Sequence, residues 1–172
     1  MFEDYNNHIS TSVLIVEEKL IWFDFADDKP FHSSGLHCAS FFRIVGIVTD
    51  LMEVGGCDIN QTDSKSNTPL VWAALGGNEG LVKILLGWDG VNPDQPGWMD
   101  RTPLAWAAYR VHVGVVKILL RQDDVNPDQP DKESITPFCW AAMRGHEGVV
   151  QILLGRDDVN PNQPDNGGLT PL

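Results

Sequence analysis

Thr102-Pro103-Leu104-Ala105-Trp106-Ala107-Ala108 has two close counterparts 34 residues away on either side. They are Thr68-Pro69-Leu70-Val71-Trp72-Ala73-Ala74 and Thr136-Pro137-Phe138-Cys139-Trp140-Ala141-Ala142. A further Thr170-Pro171-Leu172 falls on the same beat. A period this strict marks an array of small supersecondary units, none of which buries its apolar face alone. The predicted fold class is all-α, a solenoid of about four repeats.

Local chemistry gives the shape of one unit. The Thr102 hydroxyl suits an N-cap, and Pro103 at the next position gives up an N–H that had no partner anyway. Leu104 to Ala108 then read as a short helix with a small-residue face open to a close neighbour. Val113 to Leu120 carry the apolar spacing of a second, amphipathic helix. The following Asp123-Asp124-Val125-Asn126-Pro127-Asp128-Gln129-Pro130 forbids helix and favours turns, so the unit ends in an extended finger. One period earlier, Ser34-Gly35-Leu36-His37-Cys38-Ala39-Ser40 is a worn copy in register. The beat divides the chain into a non-repeating segment 1–33, a degenerate unit 34–67, full units 68–101, 102–135 and 136–169, and the start of another at 170–172.

These residues resemble the ankyrin repeat, whose pattern runs Thr-Pro-Leu-His-x-Ala-Ala, Gly-His, paired Val, paired Leu and Asp-Val-Asn. The resemblance covers about residues 34–172. The tryptophan form with its Asn-Pro-Asp-Gln-Pro finger looks like ankyrin arrays of filamentous fungi, where such arrays often end larger signalling proteins. Two departures stand out. The family histidine after leucine survives only as His37, and the inter-helix glycine, kept as Gly77 and Gly145, is replaced by Arg43 and Val111. If that turn needs a positive φ, valine is strained there by about 1 kcal/mol or more, and the turn at Val111 is expected to be altered locally.

Outside the array, Val13 to Phe23 suit a short helix over the open end of the first unit; a stub of a neighbouring domain or a misread gene boundary are the alternatives. At the other end, a unit that stops after Leu172 is expected to belong to a longer chain. The apolar fraction of 42% is that of a folded domain. The net charge of −12 argues against generic nucleic-acid binding. It either keeps the chain soluble or complements a partner with a basic surface. The odd cysteines Cys38, Cys57 and Cys139, without C-x-x-C spacing, read as buried thiols of a reducing compartment. No apolar run is long enough for a membrane span, and the start Met1-Phe2-Glu3-Asp4 is no signal peptide, so a cytoplasmic or nuclear location is expected. The Asn60-Gln61-Thr62 sequon is then incidental.

Asp124-Val125-Asn126-Pro127-Asp128 matches the opening of a calcium loop, but Gln129 stands at the glycine position and Ile135 at the closing glutamate, so a structural turn is preferred. Trp72, Trp106 and Trp140 could stack on bases or sugars; beside the alanines they read as a packed inter-repeat ladder. His112 and His146 lack companions at metal-ligand spacing and read as turn residues bonded to local backbone. No nucleophile–base set, phosphate loop or metalloprotease motif is present, so no enzyme, metal or cofactor is expected.

The ankyrin resemblance implies partner contacts on the concave face, lined by fingers and inner-helix ends. Carried onto this chain those positions are Trp98, Met99, Asp100, Arg101, Lys132, Glu133 and Ile135 in the fingers. Leu75, Tyr109, Arg110, Met143 and Arg144 are the inner-helix ends. Trp, Tyr, Met and Arg are types enriched at interface hot spots. The leading expectation is a monomeric, non-enzymatic protein-interaction module. Its alternatives are the regulatory or sensor tail of a larger signalling protein or enzyme, and a truncated fragment without independent activity.

Overall fold

The three Thr-Pro steps start helices in the expected way. In a computed structural model that describes residues 35–53 and 58–171, Thr68, Thr102 and Thr136 have extended backbones and proline follows as the first helical residue. Each hydroxyl accepts an amide three residues on, from Val71, Ala105 and Cys139, at 3.2 Å. The described residues form four helix pairs and no strand. They are α1 (Gly35–Phe41) with α2 (Val45–Glu53), α3 (Pro69–Leu75) with α4 (Glu79–Leu86), α5 (Pro103–Tyr109) with α6 (Val113–Leu119), and α7 (Pro137–Met143) with α8 (Glu147–Leu154). A tight turn, Trp98–Asp100, lies in the finger before α5. The expected helix within 1–33, and the side chains of Cys38 and Cys57, lie outside the described residues.

The first helices of successive pairs, α1, α3, α5 and α7, pack in a row, and α4, α6 and α8 form a second row behind them. One large apolar side chain per unit fills the first row: Leu36, Leu70, Leu104 and Phe138, all buried. Ala73, Ala74, Ala107, Ala108 and Ala141 are buried between them, where small side chains let helix backbones approach. Leu81, Val82 and Leu85, then Val115, Val116 and Leu119, then Val149 and Leu153 complete one continuous core from the second row. Cys139 is a buried free thiol.

The turn within each pair keeps one geometry whatever residue stands there. Arg43, Gly77, Val111 and Gly145 have φ of 63°, 68°, 60° and 69°. The local rearrangement expected at Val111 therefore does not occur. The valine is held in the left-handed region, and nothing in the structure explains why a β-branched residue is used.

Among the polar bonds that tie one pair to the next, two kinds recur along the array. His112 and His146 donate from Nε2 to the carbonyls of Leu75 and Tyr109, each at 3.0 Å. These are the ends of the preceding inner helices, so the histidines bridge neighbours rather than bond their own turns. Between fingers, Asn60, Asp94 and Asp128 accept the amides of Asn92, Asn126 and Asn160 at 3.0, 2.6 and 2.6 Å. Burial holds the Asp94 carboxyl above its ordinary range, against the opposing pull of the Asn126 amide.

His37, the one histidine kept at the family position after leucine, is buried and donates from Nε2 to the Gln61 carbonyl at 2.8 Å. Desolvation depresses its pKa below the ordinary 6.5; the Gln61 bond and nearby Asp63 oppose this and lose. The unfolded chain then takes a proton that the folded chain refuses. The stability at stake is intact above about pH 6.5 and drains away as pH falls from there towards the folded value. Thermal melts between about pH 7.5 and pH 5.5 should show a steeper acid loss in the parent chain than in His37→Gln. Parallel curves would show that His37 does not titrate on unfolding.

Candidate functional site

Each finger is anchored by what stands five residues before its Thr. Asp63 Oδ1 accepts the amides of Lys65 and Asn67 at 2.8 and 2.9 Å, and Asp131 Oδ1 accepts those of Glu133 and Ile135 at 2.9 and 3.0 Å. Asp165 does the same for Gly167 and Leu169. The other carboxylate oxygen reaches the next tryptophan: Trp72 Nε1 donates to Asp63 Oδ2 at 2.8 Å and Trp140 Nε1 to Asp131 Oδ2 at 3.0 Å. One carboxylate thus closes its own turn and pins the following helix.

The finger before α5 breaks the pattern. Gly97 stands where the others have aspartate, and a β-carbon there would collide with the Asn67 amide oxygen, which accepts the Trp98 amide at 2.9 Å. Two consecutive residues, Met99 and Asp100, are left-handed with φ of 62° and 58°. Trp106 Nε1 is buried without an acceptor, because the carboxylate that would serve it is absent. Arg101, from this finger, instead turns to Asp131, its Nε 3.0 Å from Oδ2.

Around Arg101 the aromatics gather. Its guanidinium lies 4.2 Å from the Trp140 ring centroid, 5.0 Å from Trp106 and 5.6 Å from Tyr109. Tyr109 meets Trp106 and Trp140 edge-on at 5.8 and 5.1 Å, and Trp98 stacks on Trp106 at 6.1 Å. On the open side Arg144 covers Tyr109 at 4.2 Å and bonds its hydroxyl, Arg110 approaches the same ring at 5.9 Å, and Lys65 lies 5.5 Å from Trp98. Tyr109 is the hub of a row of rings and cations running from Lys65 to Arg144.

This layer corrects part of the reading from sequence. Trp72 is half-buried, and Trp106 and Trp140, although buried, are not members of the main apolar core. Trp140 belongs to a separate cluster with Ala105, Ile135, Cys139 and Tyr109. Arg101, 8% exposed, and Ile135 are buried and cannot meet a partner directly; an ion pair claims one and apolar packing the other. Leu75 and Met99 are half-buried, with carbonyls spent on His112 and the Lys132 amide. Trp98 (41%), Met143 (63%), Asp100, Arg110, Lys132, Glu133 and Arg144 are exposed, and Tyr109 is half-buried among them. Asp63 and Asp131 were missed. Their signal was available as an aspartate on the beat at 63, 131 and 165, with glycine at 97.

The calcium-like stretch has other employment. Asn126 Oδ1 accepts the Asp128 amide at 3.0 Å and Asp128 Oδ2 holds Asn160. Among the described residues no group of three or more His, Cys, Asp or Glu side chains is placed to hold a metal ion. Among the same residues no helix is long and apolar enough to cross a membrane.

Comparison with known proteins agrees with this geometry. No curated protein matches the chain. The family model described as ankyrin repeats in three copies matches residues 36–131, and the single ankyrin-repeat model matches 134–166. Helix pairs capped by Thr-Pro, turned at one left-handed residue and joined by fingers, together with these matches, place the chain in the ankyrin-repeat family.

Proposed function

We propose that this chain is a non-enzymatic binding module that holds a protein partner against the face formed by its fingers and inner-helix ends. Ankyrin repeats are generally protein-interaction modules, and the observation that carries the reading here is local. Trp98 and Met143 expose large apolar side chains on either side of a half-buried tyrosine flanked by arginines. Such a patch, with polar groups at its edge, is characteristic of an interaction surface. Trp98 is held by stacking on Trp106, and Arg110 and Arg144 by the Tyr109 ring, so these side chains lose little conformational freedom on binding.

The test uses a partner recovered with the full chain and then purified. Trp98→Ala with Met143→Ala is expected to weaken binding of that partner at least about tenfold, since exposed aromatic anchors dominate interface energetics. The control is Trp88→Ala, an equally exposed tryptophan (39%) that follows the outer helix α4. It should leave affinity within about twofold. Equal losses from both variants, or none from the pair, would remove the finger face from consideration.

A further inference from the structure

The charge of this face differs from that of the chain. The whole sequence carries 24 Asp and Glu against 12 Lys and Arg. Yet the exposed ends of the inner helices, Tyr109-Arg110-Val111 and Met143-Arg144-Gly145, hold two arginines and no acid, with Lys65 further along the ring row. The acids beside them are placed otherwise. Asp63 and Asp131 are buried and committed to backbone, indole and guanidinium donors, which leaves Asp100 and Glu133 at the finger tips. Much of the remaining negative charge lies after the outer helices, at Asp89, Asp123, Asp124, Asp157 and Asp158.

We infer that the partner presents an acidic, extended segment to this face, its carboxylates meeting Arg110 and Arg144 while an apolar side chain lies on Trp98 and Tyr109. This rests on the binding reading above and sharpens its chemistry. The whole-chain charge alone would suggest a basic complement, but contact energy is decided by the groups that touch, and long-range charge mainly sets encounter rate. Arginine forks match carboxylates, and each bond so formed is about twice as strong as a neutral one. Both forks already rest against Tyr109 and so lose little freedom on binding.

Spacing follows from the fold. Arg110 and Arg144 are equivalent caps of α5 and α7, which are direct neighbours. Packed helices lie about 8–10 Å apart, and an extended segment in the polyproline-II form, with three residues per turn, advances about 3.1 Å per residue and returns to the same face every third residue. Acids at positions i and i+3 of the segment would therefore face the two arginines together. A nucleic acid would meet the same arginines, but its continuous phosphate charge is repelled by a chain of net −12, whereas two or three carboxylates are not strongly opposed.

Random dodecapeptides displayed on phage and selected on the full chain provide the probe, with single-stranded oligonucleotide as the competing ligand. Selected peptides should be enriched in acid-x-x-acid beside an aromatic or aliphatic residue. Arg110→Glu with Arg144→Glu should weaken their binding about tenfold or more. Lys83→Glu with Lys117→Glu, the same charge change on exposed positions of α4 and α6, should weaken it about twofold at most. Enrichment in Lys and Arg, equal losses from the two pairs, or tighter binding of the oligonucleotide at the same arginines would each overturn the inference. If basic peptides are selected yet still depend on Trp98, the binding face stands and only the acidic partner falls. Circular dichroism of both exposed-residue pairs should match the parent, which separates lost binding from lost fold.

Discussion

Replacing Asp131 by alanine is expected to destabilise the chain by about 3–5 kcal/mol, the largest loss that a single polar substitution should produce here. Asp131 is buried, and its two oxygens accept four donors: the amides of Glu133 and Ile135, the Trp140 indole and the Arg101 guanidinium. Removing it opens a finger turn and unpins α7. It also strands a guanidinium that is only 8% exposed among three aromatic rings. The last effect dominates, because a buried cation without its partner costs more than the pair gained by forming. Asp131→Asn should lose less. Its amide oxygen can still close the turn, but its NH2 then faces the N–H groups of Arg101 and Trp140, donor against donor. Adding Arg101→Leu to Asp131→Ala should recover part of the loss, since no buried charge remains. Urea denaturation with hydrogen exchange checks this. Exchange should accelerate in α7 and α8 before α3 and α4, because nearest-neighbour joints carry the stability of such arrays. A loss below about 1 kcal/mol would mean that water or a shifted side chain satisfies Arg101.

The second large effect concerns the left-handed turn. Gly77→Val should destabilise by about 2 kcal/mol, while Val111→Gly, the reverse change at the equivalent place, should stabilise by about 0.5–1 kcal/mol. The turn demands φ near 68° at one position and 60° at the other, so the β-branched penalty applies to both. Gly77 has a further constraint. An added β-carbon would lie 2.6 Å from His112 Nδ1, so the ring must shift while keeping its bond to the Leu75 carbonyl. His146 keeps the matching bond to Tyr109 beside Val111, so such a shift is feasible and the backbone is the larger cost. The gain from Val111→Gly is smaller because glycine also restores freedom to the unfolded chain. Val111 is 49% exposed, which limits the apolar contact given up. Equal and small effects at both sites would show that the turn tolerates side chains in this chain.

Much of this architecture was legible because the signals are local and repeated. Thr-Pro caps, alanine faces and Pro-Asx fingers each specify their element from neighbouring residues, and the 34-residue period multiplies that information. The exposed members of the candidate face were legible for the same reason, since Trp98, Arg110, Met143 and Arg144 hold fixed places in the unit. What escaped depends on pairing between units. Arg101 looks like any finger residue until Asp131, 30 positions away, is seen to hold it. The tryptophans look like core until the carboxylates bound to Trp72 and Trp140 show that they form a layer of their own. Val111 differs again: a β-branched residue predicts a distorted turn, yet the fold around the turn holds it at φ 60° against about 1 kcal/mol of backbone strain.

The finger joints have a consequence for how such a chain can vary in length. Asn60 reaches Asn92, Asp94 reaches Asn126 and Asp128 reaches Asn160, and each step spans 32 residues. His112 and His146 each span 37 to their carbonyls. Each of these two kinds of joint therefore recurs with its own constant span along the chain. Losing one residue inside a unit puts every joint that spans it out of phase at once. Losing or gaining a whole unit leaves every surviving joint in phase. The molecule has in effect a quantised length, free to change by 34 residues and resistant to a change of one.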